Sequence, residues 1–135
     1  MPTITDSPVF IPSIAAKTAI DETKAVDVTV LQALIGDDEI VVTQFLHDYR
    51  VSAIEIGWAL CKASEHGTAM ETASHAHKLK SASRTVGALA LGIICESLEF
   101  AGKAGEPEAL YILLPIFKQE LARVEAFLLD YQMLS

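Results

Sequence analysis

Cysteine, proline and positive charge are scarce in this chain, and each shortage narrows what it can be. The two cysteines, Cys61 and Cys95, both fall in apolar helical patterns. That favours buried free thiols over a disulfide and suits a reducing, cytoplasmic setting. Three of the five prolines, Pro2, Pro8 and Pro12, lie in the first twelve residues, which leaves only Pro107 and Pro115 for the rest of the chain. Lysine and arginine total 10 against 18 acids, a net charge of −8, which argues against a nucleic-acid binder. No apolar run reaches the eighteen or so residues that a membrane-spanning helix needs. The opening MPTITDSPVF has neither the charged nor the apolar region of a signal peptide. Strand-like alternation, internal repeats and nucleotide-binding glycine motifs are also missing.

What remains is apolar and helical. Hydrophobic residues make up 51% of the 135, so most of the chain must pack, as one domain burying roughly two-thirds of its unfolded surface. Residues 1–24 have linker composition, although Ser13 to Glu22 is compatible with a short docking helix. The domain is expected over 25–135. Asp27 can cap a short first helix that ends at Gly36. Asp37 is expected to cap a long helix in which Ile40, Val41, Phe45, Val51, Ile54, Trp58 and Cys61 form the buried face. Gly67 ends it, and Thr68-Ala69-Met70-Glu71 reads as the capping box of the next helix. Gly87 ends that one. A fourth helix runs from about Leu89 to Ala101, where Gly102 and Gly105 break the chain before Pro107. The last helix carries the stripe Leu110, Leu113, Phe117, Leu121, Val124 and Leu128, with Pro115 expected to kink it. The fold class is therefore all-α: an antiparallel four-helix bundle with a short additional N-terminal helix. Each apolar stripe is used once, which predicts a monomer.

The stretch SHAHKLKSASR, residues 74–84, gathers two histidines and three cations into an acidic chain. At about 100° per residue, Met70, Ala73, Lys80, Ser81 and Arg84 all fall within roughly 60° of His77, while His75 lies about 160° away. His77 therefore faces solvent and His75 faces the core. H-x-H on a helix cannot chelate, and neither His47 nor His66 offers a partner at suitable spacing, so no metal site is expected. An exposed histidine beside cations is by itself most often a solvated residue.

The surrounding residues say more. His77-Lys78-Leu79-Lys80-Ser81-Ala82, then Gly87-Ala88, Leu91 and Cys95-Glu96-Ser97-Leu98-Glu99, resemble the histidine-containing phosphotransfer (HPt) family. That family has H-x-L-K-G-x, a glycine ten residues after the histidine, and C-x-x-L-E on the following helix. Gln44-Phe45-Leu46-His47-Asp48-Tyr49-Arg50 resembles its aromatic-acidic segment more weakly, and the likeness spans residues 27–133. Ser81 departs from the pattern, standing where the family usually has glycine, but is small enough to leave the imidazole accessible.

The resemblance implies reversible phosphoryl transfer between a phosphoaspartate on a response-regulator receiver domain and His77. Lys80 would neutralise phosphoryl oxygens, and Lys78 and Arg84 would add a weaker field. Glu99 would hold Nδ1–H and leave Nε2 free to attack. Gly87 ends the helix on either reading. Docking is expected around Met70 and Ala73, taken as an exposed apolar centre, and along Gln44, His47 and Asp48. No intrinsic cofactor is implied, and Mg²⁺ would come with the receiver. The N-terminal segment reads like the connector before such a domain at the C-terminus of a hybrid sensor kinase, with a free-standing shuttle as the alternative. Three rivals remain: a degenerate docking module that takes no phosphate, the phosphoacceptor domain of a chemotaxis-type kinase, and a structural or metal-binding bundle. Ser81 is the one feature that encourages the first. The second would need an ATPase domain after the last helix.

Overall fold

The computed structural model describes residues 24–134, all of whose regular elements are helices: α1 Val28–Ile35, α2 Glu39–His66, α3 Ala69–Val86, α4 Leu89–Ala104 and α5 Pro107–Leu134. The possible helix at Ser13 to Glu22 lies outside the described residues. Connectors of two residues join α2 to α3, α3 to α4 and α4 to α5. Links this short force successive helices antiparallel. The four long helices close a ring, with α2 on α3, α3 on α4, α4 on α5 and α5 back on α2, while α1 packs against α3 and α2. Among the described residues no helix is long and apolar enough to cross a membrane.

Local chemistry sets the boundaries. Asp27 caps α1 by accepting from the Thr29 amide. The α2 cap is Asp38, one residue later than expected, because its carboxylate is the one that reaches the Ile40 and Val41 amides. Thr68 and Glu71 form the reciprocal capping box at the start of α3. Gly87 closes α3 in the left-handed region, and it has a second duty. Its carbonyl accepts from the Asp27 amide at 2.9 Å, and a Cβ built on Gly87 would meet the Asp27 backbone. Only glycine allows the entering chain so close.

The α5 stripe packs as expected, with Leu113, Phe117 and Val124 fully buried and Pro115 contained within an unbroken helix. The α2 face does not. Its inward residues are Val42, Leu46, Tyr49, Ala53, Gly57 and Leu60, whereas Ile40 and Trp58 are 82% and 65% exposed and Val41, Phe45 and Val51 also lie on the surface. The inward stripe is less apolar to the eye because close approach demands small residues. A Cβ on Gly57 would come 2.5 Å from Leu121 Cδ2. The premise that every apolar stripe is spent inside the bundle is therefore corrected. Cys95 is buried and Cys61 partly so, both as free thiols.

Candidate functional site

His77 lies midway along α3 with its side chain 60% exposed, on the flank that faces α4. His75 is only half-buried, so it is less deeply enclosed than expected. Across the α3–α4 interface, Glu99 is 8% exposed and places Oε2 2.9 Å from His77 Nδ1. Lys80 Nζ stands 2.7 Å from Glu99 Oε1, close enough to count as an ion pair although not angled as a directed hydrogen bond. Lys103 Nζ reaches Oε2 at 2.9 Å from one turn further along α4. One carboxylate thus serves an imidazole and two ammonium groups.

Electrostatics fix the proton. Burial alone would raise the Glu99 carboxyl, but the close contacts of Lys80, Lys103 and His77 with its ionised form outweigh that and hold the group down at about 2. An ionised carboxylate can only accept, so Nδ1 carries the hydrogen. In the neutral ring, Nε2 then keeps a lone pair directed away from Glu99, toward solvent.

The ring borders a shallow depression of about 330 Å³ lined by Met70, Ala73, Ser74, His77, Lys78, Glu99 and Lys103. Met70 and Lys78 are exposed there, as is Ser81 one turn beyond His77. Ala73 corrects the expectation of an exposed apolar centre, being 2% exposed beneath α4. It is buried because Gly102 crosses it, and a Cβ on Gly102 would lie 2.8 Å from the Ala73 methyl. Arg84 also differs from expectation. Its guanidinium pairs with Glu96 at 3.3 Å, and its stem lies over Gly92, so its charge is spent away from the imidazole.

The α2 residues divide. Gln44 donates to Asp48 at 3.0 Å, and Asp48 lines a groove with Phe45, Tyr49 and Ser52 against Ala82 and Thr85 of α3. His47 turns instead toward α5, where its Nδ1 meets Gln132. Beneath the groove the Tyr49 hydroxyl and Ser83 Oγ are 2.7 Å apart in the interior, tying α2 to α3.

Sequence reasoning missed Lys103 because it ended α4 at Ala101. The helix in fact runs through Gly102 to Ala104 and ends at Gly105, in the left-handed region. The overlooked signal was the spacing of Glu99 and Lys103, four apart with the acid first.

The Hpt domain family matches residues 41–127, a span that contains His77, Lys80, Glu99 and Lys103. The chain belongs to the Hpt domain family. Domains of this family carry phosphoryl groups on histidine in phosphorelays and dock the receiver domains of response regulators. The fold is similar to that of histidine-containing phosphotransfer protein B from Pseudomonas aeruginosa PAO1, with a TM-score of 0.76 and 24% identity over 84% of this chain and 99% of that one. No curated protein matches significantly.

Proposed function

We propose that this Hpt domain accepts a phosphoryl group on His77 Nε2 from the phosphoaspartate of a receiver domain and returns it by the reverse step. The observation that carries the reading is the 2.9 Å contact between the exposed imidazole's Nδ1 and the buried, ionised Glu99. It keeps a hydrogen on Nδ1 and turns the reactive nitrogen outward. In the transfer the Nε2 lone pair forms the N–P bond as the aspartyl O–P bond breaks. The aspartate departs as a carboxylate, and the proton stays on Nδ1 against Glu99. The positive charge that the ring acquires is therefore met by a carboxylate already in position.

Lys78 on the rim and Lys80 beside Glu99 supply positive charge for the incoming phosphoryl oxygens. Mg²⁺ would belong to the receiver, whose acidic site must balance its own phosphoaspartate. The exposed rim at Met70, Ser74 and Ser81, continued across α3 to Gln44 and Asp48, offers the docking face.

The test is label transfer from a phosphorylated receiver in Mg²⁺. The expected product is acid-labile, base-stable phosphate on the chain, absent in His77→Gln with the helical circular dichroism unchanged. Label persisting in that variant would overturn the assignment. Receiver binding without label in the parent would favour a docking module instead.

A further inference from the structure

Glu99 Oε2 is shared between two donors. His77 Nδ1 and Lys103 Nζ each lie 2.9 Å from it, so the ammonium stands no more than two hydrogen-bond lengths from the ring nitrogen. Lys80 already compensates the buried carboxylate at Oε1 and is itself only 17% exposed. A second cation is more than the anion's burial requires. Lys103 is also 61% exposed, so holding it on Oε2 restrains a side chain that water would otherwise solvate.

Its effect on the ring explains the arrangement. A carboxylate on Nδ1 favours imidazolium over imidazole, and a ring protonated at Nε2 has no lone pair with which to attack phosphorus. Anything that dilutes the carboxylate's charge at Oε2 opposes that second proton. The charged groups near the ring are Lys78 and Lys80 from α3, and Glu99 and Lys103 from α4. Arg84 and Glu96 lie further along the same interface and pair with each other. From α2, Asp48 is engaged by Gln44 on the far side of α3. Of all these, Lys103 alone binds the same oxygen as the ring.

We propose that Lys103 is a positioning residue for phosphoryl transfer: by sharing Oε2 with Nδ1 it offsets the carboxylate's pull and keeps Nε2 free of a proton near neutral pH. This rests on the reading of His77 as the phosphoacceptor, and it assigns to α4 the control of the pH range in which acceptance works.

The experiment compares the full chain with Lys103→Gln and Lys103→Arg by two measurements. One is the NMR titration of the His77 ring. The other is the initial rate of labelling by the small phosphodonor phosphoramidate across pH. In Lys103→Gln the ring's midpoint and the acid limb of the rate profile should move upward together by about half a pH unit. Labelling on that limb then falls about threefold, while the alkaline plateau stays level. Lys103→Arg, which keeps the charge, should restore both. A merely structural role would lower the rate at every pH without moving the limb. An unmoved midpoint in Lys103→Gln, or no restoration by arginine, would overturn the proposal. A parent that takes no label overturns the phosphoacceptor reading instead. The titration needs no phosphate and still decides whether Lys103 governs the ring.

Discussion

Gly102 of α4 crosses Ala73 of α3 so closely that a Cβ on the glycine would lie 2.6 Å from the Ala69 carbonyl oxygen, 2.8 Å from the Ala73 methyl and 3.0 Å from the Ala73 nitrogen. Two of those neighbours are backbone and cannot swing aside. The separation of α3 and α4 at this crossing, and with it the reach of Glu99 to His77, is set by a missing methyl group.

Gly102→Ala should therefore cost about 1–3 kcal/mol of stability, although alanine is the better helix former. Phosphoryl acceptance should fall as well, because α4 carries Glu99, the partner of the imidazole, and Lys103, which pairs with that carboxylate. Gly92→Ala is the control. Its new Cβ would meet chiefly the flexible Arg84 stem, at 3.1 Å, so that change should be neutral or stabilising. Urea melts of the two variants decide this, and equal stability would mean that Gly102 does not set the crossing.

Glu99 should give the fold an acid-sensitive component. Its folded value of about 2 lies below the ordinary 4.5, despite burial, because Lys80, Lys103 and His77 bind the ionised form. The resulting stability is complete above about pH 4.5 and drains as the pH falls toward 2. Allowing for solvent around Lys103, it amounts to something on the order of 2 kcal/mol. Glu99→Gln should be less stable than the parent at neutral pH, and the gap should close across that acid window. Parallel stability-against-pH curves would count against the pairing.

Tyr49→Phe should cost on the order of 1 kcal/mol, since it strips a buried partner from Ser83 Oγ at the α2–α3 interface. Tyr49→Phe with Ser83→Ala should cost less than the sum of the single changes. Burial also pushes the Tyr49 phenol well above its ordinary value, against the lowering effect of the Ser83 hydrogen bond. An alkaline absorbance titration should accordingly show one tyrosine that ionises only as the protein unfolds. Additive single changes would refute the pairing.

Much of this was legible in the sequence, and the failures share a cause. Capping chemistry is local, so the Thr68–Glu71 box, Gly87 and Pro107 could be located from a few residues each, and the cap of α2 was missed by a single position. His77 and Glu99 could be paired because a spaced set of residues resembles the Hpt family. What escaped was close packing. The inward stripe of α2 runs through Ala53 and Gly57, which carry little hydrophobic signal but admit Leu121 and Phe117. Gly102 reads in sequence as a helix breaker, yet in the fold it is the residue that lets two helices touch. The same misreading removed Lys103 from the site and left Ala73 on the surface.

Every side chain seen to contact the imidazole among the described residues comes from the single helical hairpin of α3 and α4. The loop closed between His77 and Glu99 spans 22 residues, whereas the tie between Glu39 and Tyr131 that joins α2 to α5 spans 92. Loop-closure entropy makes the longer link costlier to form by about 1 kcal/mol. In folding terms, the reactive centre sits in a hairpin that can close before the seam between α2 and α5 does. Fluctuations that loosen α5 from α2 can pass without disturbing the geometry on which the chemistry depends.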